Sequence, residues 1–229
     1  MCAAEQNRQT ILRMMEPRPG STLLDVGCAD GADTIPLMQR VQAQRTIGLE
    51  LADKFIEPAR ARGVDVIQAD ITAPWPVGDG SIDVVHSNQV IEHVAATDHF
   101  MREIRRVLRP SGYAVVSTNN LASWHNIVAL ILGWQPLPCH VSDEVVVGNP
   151  LALEETRYGV DIHRHLRIFT GRALAGLAQA HGLQVERAVG SGYYPLGRRA
   201  SQFMARVDPR HAAYLVQRYI PALPGSVAG

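Results

Sequence analysis

Leu23-Leu-Asp-Val-Gly-Cys-Ala-Asp-Gly-Ala-Asp33 is the stretch whose reading decides the fold. An apolar run ends in a loop of small residues, and helix-forming sequence follows at once. In open α/β sheets, ligands bind outside the carboxyl ends of the strands, and glycines there let the backbone approach a ligand closely. A dinucleotide site calls for glycines spaced G-x-G-x-x-G, with a pyrophosphate at the helix N-terminus. Here the order is Gly27-x-Ala29-x-Gly31, with Asp30 and Asp33 alongside. Two carboxylates would repel a pyrophosphate and tolerate a cationic ligand.

The chain repeats this unit on either side. β-rich runs fall at residues 22–26, 46–49, 65–68, 82–86, 113–118, 184–189 and 202–207, with helix-like segments near 32–41, 52–62, 98–108 and 171–181. Alternation of this kind predicts an α/β fold: a seven-stranded, mostly parallel sheet with helices on both faces. Gly63 and Gly182 follow helices, where glycine readily takes the left-handed C-cap conformation. Phe100, Ile104, Val107 and Leu108 recur at helical spacing and predict a face packed on the sheet. Residues 119–170 break the rhythm. Loops that long are uncommon unless functional or disordered, and this one carries Trp124, Trp134, Tyr158 and four histidines. It reads as a folded cap over the ligand crevice, inserted in a single domain spanning residues 1–229. The segment from Asp208 reads as an accessory helix and a tail, with 212–220 amphipathic enough for an interface.

Composition narrows the class. Apolar residues make up 46%, enough for a real core, and Lys+Arg balance Asp+Glu at 22 each. Dedicated nucleic-acid binders usually show a basic excess, so a nucleic-acid partner is not expected. Cys2, Cys28 and Cys139 are odd in number and far apart, without disulfide or metal-ligand spacing. Free thiols point to a reducing compartment. The N-terminus is polar, unlike a signal peptide, and the longest apolar run, 127–134, is short of the ~18 residues of a membrane span. Cytoplasmic location is the expectation.

The opening stretch resembles motif I of class I S-adenosylmethionine (SAM)-dependent methyltransferases, and the charge of its loop suits a sulfonium. Asp25, Gly27 and Gly31 match the motif, and Ala29 departs at the middle glycine. Further matches follow in order. Ile47-Gly-Leu-Glu50 ends the second run in a carboxylate, whose two oxygens can accept bonds from both ribose hydroxyls; Leu51 would flank the adenine. Gln68-Ala-Asp70-Ile71 ends the third run, and residues 81–93 are similar to motif IV. The resemblance covers roughly residues 15–118 well. It implies SAM as cofactor, S-adenosylhomocysteine as product, and contacts from Asp25, Gly27, Cys28, Ala29, Gly31, Glu50, Leu51, Asp70, Ile71, Asn88, Gln89 and Val90.

The acceptor is less sharply marked. Methyltransferases acting on exocyclic amines of bases carry an Asn/Asp-Pro-Pro-aromatic motif where this chain has Asn88-Gln-Val-Ile. That favours a small-molecule, sugar or lipid-linked acceptor, methylated on oxygen. His163 and His165 are the candidate general bases, since histidine titrates near neutrality. His93, Asn119, Trp124, His125 and Tyr193 are candidate acceptor contacts. Glu92-His93 serves equally well as helix capping. Asp161, His163 and His165 have i, i+2 spacing that suits a strand face as much as a metal, and no metal is expected. A NAD-dependent oxidoreductase and a non-catalytic SAM-binding subunit that activates a partner are the competing readings. No oligomeric state is read.

Overall fold

A computed structural model describes residues 3–142, 144–152 and 165–222. Five strands, β1 (Thr22–Val26), β2 (Arg45–Glu50), β3 (Asp65–Gln68), β4 (Ile82–Asn88) and β5 (Leu108–Asn119), pair in parallel in the order β3-β2-β1-β4-β5. Beyond β5 lie β7 (Tyr214–Pro221) and then β6 (Leu183–Ser191) at the edge. β7 runs antiparallel to both neighbours. Strand order reverses between β1 and β4, so the ligand crevice falls at their carboxyl ends.

Successive residues of a strand face opposite sides of the sheet, and in the central strands both sides are buried. Leu24, Val85, Ala114 and Val116 pack with Phe100, Met101, Ile104 and Val107 of α4 (Thr97–Val107) and Leu174 and Ala178 of α6 (Gly171–Ala180). Leu23, Val84, Tyr113 and Val115 pack on the other side with α1 (Ala3–Met14) and α2 (Thr34–Val41). Such continuous apolar runs mark parallel strands covered on both faces. α3 (Asp53–Ala61) lies over β2, with Ile56 and Ala59 against Cys28, Val64 and Val66.

The C-terminal part departs from the expectation. Residues 202–207 are not a strand but part of α7 (Arg198–Val207), whose Ser201 is buried with its hydroxyl on Gln6. The seventh strand is β7, where an accessory helix was expected. Its polar pair misleads in isolation. The Gln217 side chain donates to the Gly171 carbonyl, and the Arg218 guanidinium lies over the Tyr113 ring and donates to Glu16 and the Met14 carbonyl. Buried polar groups are tolerable where partners satisfy them, and these partners are remote in sequence. α1, also unforeseen, buries Gln6 and Asn7 beside Ile11 and Met14.

The insertion after β5 begins with α5 (Trp124–Ile131). Its two ends meet: Asn120 bridges Phe169, and the Leu121 amide donates to the Phe169 carbonyl. Buried Asn120 also donates to the carbonyls of Arg210 and Ala212. Among the described residues, no helix is long and apolar enough to cross a membrane.

Candidate active site

The loop after β1 is fastened to β2. Gly27 and Cys28 donate their amides to the Leu49 carbonyl at 2.8 and 3.3 Å. Gly27 has φ of +76°, and a Cβ there would stand 2.6 Å from Val90 Cγ2. Gly31 has φ of +79°, and a Cβ would meet Ala59 at 3.2 Å. Ala29 is also left-handed, with φ of +45°. The middle position of the motif is thus one where an L-residue is strained, a larger effect than the slight narrowing that an extra methyl implies.

Glu50 closes this loop. Its Oε2 accepts the Ala29 amide at 2.9 Å, and its Oε1 accepts those of Leu51 and Ala52 at 2.9 and 2.8 Å. A carboxylate has about four acceptor positions, so room remains for a hydroxyl that approaches from the crevice. Leu51 is exposed and Ile71 is half-buried, two apolar surfaces at the ends of β2 and β3. Exposed Asp70 is held by the amide and hydroxyl of Thr72, which also keep its carboxyl below the usual range.

Three residues of the motifs sit differently from a direct contact. Asp25 is buried, accepting from Thr34 Oγ1 at 2.5 Å and lying 2.7 Å from His86 Nδ1, so it braces the loop from behind. The Cys28 side chain packs beneath Gly48, Ala59 and Val64, leaving its backbone to the crevice. Burial, then the nearby Asp25 and Glu50 charges, push its thiol up to about 12. Asn88 accepts from Asn7 of α1 at 3.0 Å. The loop is also less negative than its sequence suggests. Asp33 pairs with Arg8 at 3.0 Å and Asp30 with Arg62 at 3.3 Å. Much of the loop's negative charge is therefore offset, and it discriminates weakly between a sulfonium and a pyrophosphate.

At the end of β4, Gln89 takes φ of +57° and its side-chain Nε2 is buried without a hydrogen-bond partner. Val90 seats against Gly27. A glycine cradle that a Cβ would fill, a carboxylate at the end of β2 and a buried unpaired amide donor together fit a ligand with ribose and polar groups.

A second cluster lies at the ends of β4 and β5. Glu92 is fully buried. It accepts from Thr118 Oγ1 at 2.8 Å and, at 3.4 Å, from Asn119 Nδ2. Burial pushes its carboxyl up to about 7. Its backbone carbonyl accepts the amides of Leu166 and Arg167 at 2.7 and 3.1 Å, which docks the returning insertion against the turn that follows β4. That contact sets the His165 ring 4.8 Å from the His93 ring, and the His140 ring stacks on His165 at 5.0 Å. One ligand atom from each of Glu92, His93 and His165 lies within 4.8 Å of the others. The fold therefore gathers two imidazoles and a carboxylate whose proximity no local spacing reveals. His163, Asp161 and Tyr158 lie outside the described residues.

The remaining acceptor candidates divide. Trp124 is tied through its indole N–H to Asp208 at 2.8 Å and lies against His211. Tyr193 is buried and donates its hydroxyl to the Asp208 carbonyl. Both brace the rim at Asp208. His125 packs edge-on to Tyr194, and burial lowers its pKa below the usual histidine value. Asn119 is committed to Glu92.

A family profile for a methyltransferase domain matches residues 3–188. The chain belongs to the class I SAM-dependent methyltransferase family. A probable SAM-dependent methyltransferase of Mycolicibacterium smegmatis is 35% identical over 179 residues, covering 74% of this chain and 65% of the relative. A ubiquinone biosynthesis O-methyltransferase of Sinorhizobium fredii is 33% identical over 150 residues, 61% of this chain and 59% of the relative. The chain thus spans less than two thirds of either relative's length. Among solved structures, a chain from the complex between the Haloferax volcanii Trm112 methyltransferase activator and the putative methyltransferase superposes with a TM-score of 0.67. Its identity is 17%, with 96% of this chain and 92% of that chain covered, a likeness of fold. The family's cofactor is SAM. Family membership thus does what the loop charge cannot, and sets aside the nicotinamide reading.

Proposed function

We propose that this chain transfers a methyl group from SAM to an oxygen of a small-molecule, sugar or lipid-linked acceptor. When bound, SAM supplies a sulfonium-activated methyl, so that R–OH and SAM become R–OCH₃, S-adenosylhomocysteine and a proton. Glu50 receives a ribose hydroxyl at its remaining acceptor position, Leu51 and Ile71 flank the adenine, and Asp70 accepts from its amino group. Asp25 holds the β1 loop in place through Thr34 and His86. The acceptor proton leaves toward the cluster of Glu92, His93 and His165, with His165 the base in reach and His163 the second candidate.

The observation that carries this reading is the buried Glu92 carboxylate beside two imidazoles at the ends of β4 and β5, adjoining the β1 loop through Val90. Burial pushes the Glu92 carboxyl up to about 7, which places a proton acceptor of near-neutral affinity beside His165, the kind of group general-base catalysis requires, a contribution of ~10²–10⁴-fold. The O-methyltransferase relative supports oxygen as the acceptor atom. Exposed Val128, Leu130, Ile131 and Leu132 on and after α5 support an acceptor with an apolar portion. Residues 119–170 act as the acceptor cap of one domain, and the free thiols Cys28 and Cys139 support a reducing compartment. The test is S-adenosylhomocysteine release across a panel of phenols, sugars and polyprenyl-linked alcohols. His165→Ala should lower kcat on the true acceptor at least tenfold with little change in SAM affinity. Full turnover by that variant would remove His165 from the chemistry.

The exposed apolar side chains of α5 favour one other reading, a SAM-binding subunit that activates a partner. Product release that appears only when a copurifying partner is added would select it.

A further inference from the structure

Glu92, His93 and His165 reach one point from two separate stretches of chain, and the fold clamps those stretches together. The clamp is the pair of hydrogen bonds from the Leu166 and Arg167 amides to the Glu92 carbonyl. It fixes the backbone on both sides of the cluster. We propose that these three side chains form a binding site for a divalent transition-metal ion, best matched to Zn²⁺. The inference takes only its role from the acceptor reading above; the binding itself stands apart from it.

The donor set is two imidazole nitrogens and one carboxylate oxygen. That combination with an open position is a recurring catalytic zinc arrangement, and imidazole-rich sets favour Zn²⁺ over Mg²⁺ or Ca²⁺. The outer contacts match as well. The His165 Nδ1 lies 3.0 Å from the Pro138 carbonyl. A carbonyl can only accept, so Nδ1 carries a proton and Nε2 is the nitrogen that would face an ion. Metal-bound histidines are commonly oriented in this way. Glu92 is likewise oriented by Thr118 and Asn119, one on each oxygen.

A separate observation points to the same place. The His140 ring stacks on His165 with an interplanar angle of 10°, and its Nδ1 is buried with no hydrogen-bond partner. An unsatisfied buried polar atom costs ~1–3 kcal/mol, and it stands against the cluster. The ligand atoms lie within 4.8 Å of one another. Ligands at ~2.0–2.2 Å from a tetrahedral ion stand about 3.4 Å apart, so the half-buried histidines need to move inward by only about 1 Å. With an ion bound, His165 is a ligand, and the acceptor hydroxyl would be acidified by the metal, as zinc lowers the pKa of bound water to ~7.

The test uses the full chain, stripped with a chelator. Co²⁺ titration followed by visible absorption reads coordination, and Zn²⁺ competition against a chromophoric chelator reads affinity. The expected result is one Co²⁺ per chain with the intense bands of a four- or five-coordinate site. His93→Ala and His165→Ala should each weaken Zn²⁺ binding at least tenfold, while His211→Ala, at the Asp208 rim, leaves it unchanged. Glu92→Gln is read only if circular dichroism shows it folded; the two histidine variants carry the test without it. No Co²⁺ spectrum, or Zn²⁺ affinity that survives both histidine substitutions, would overturn the site. SAM affinity is measured calorimetrically on the same stripped protein. SAM binding without Zn²⁺ binding removes the metal site alone, and Zn²⁺ binding without SAM binding removes the methyl-transfer reading alone.

Discussion

Gly27→Ala is opposed by two separable effects, and a second substitution divides them. The first is backbone strain. Gly27 has φ of +76°, and an L-residue in left-handed backbone costs ~1–2 kcal/mol. The second is a collision, since the new Cβ stands 2.6 Å from Val90 Cγ2. Overpacking of this kind costs ~1–3 kcal/mol, giving a total of roughly 2–5 kcal/mol. Val90→Ala removes the collision and leaves the strain. In urea unfolding, the double variant should therefore recover ~1–3 kcal/mol relative to the sum of the single variants. Calorimetry with SAM should follow the same pattern, because the Gly27 and Cys28 amides bolt this loop to Leu49 beside Glu50. Each 1.4 kcal/mol lost there is about tenfold in affinity. Additivity of the two substitutions within ~0.5 kcal/mol would refute the contact and with it the reason for glycine at the head of the loop.

Ala29→Gly relieves left-handed strain of ~1–2 kcal/mol against ~0.4–1 kcal/mol of added unfolded-state entropy, a net gain of up to ~1.6 kcal/mol, so Tm should rise by up to about 6 °C; a fall in a thermal scan would contradict it. The Arg106 guanidinium, bonded to Glu103 at 2.6 Å, holds that carboxyl below its ordinary range. A lowered carboxylate stabilises the fold above its unfolded value, near 4.5, and loses that contribution as pH falls through the folded value. Glu103→Gln should therefore flatten the acid limb of stability below about pH 4.5, as read by unfolding at a series of pH values, and an unchanged limb counts against the pair. The Cys28 thiol, buried under Gly48 and pushed up to about 12, should resist aromatic disulfide reagents at pH 8 until the chain unfolds. Rapid native labelling at Cys28, located by mass spectrometry, would show that the loop opens.

The parallel half of the sheet was legible because its residues carry their own instructions. Leu23–Val26 and the small residues after it state a strand and a turn locally, and β2, β3 and β4 end in their expected carboxylates and amides. Legibility fails where a residue's meaning depends on a distant partner. Gln217 and Arg218 look like the polar face of a helix until Gly171 and Glu16 satisfy them inside a strand. Asp30 and Asp33 look like net negative charge until Arg62 and Arg8 are folded against them. Glu92-His93 looks like a helix cap until the Leu166 and Arg167 amides bring His165 alongside. Ala29 was visible as a departure, but only its φ shows that the departure is one of backbone strain rather than space.

The insertion after β5 leaves and re-enters the sheet at one point, where Asn120 meets Phe169. Once that junction is made, the chain between is a closed loop, and doubling the length of such a loop costs only ~0.6 kcal/mol. Among the described residues, the excursion is clamped to Glu92, through Leu166 and Arg167, and to Asp208, through Trp124, rather than to the β1 loop or Glu50. If the excursion is the acceptor cap, as proposed, acceptor choice and methyl supply sit on parts of the molecule that can vary independently: a lineage could exchange the chain between Asn120 and Phe169 for another sequence that still meets Glu92, acquire a new acceptor, and leave the donor half untouched.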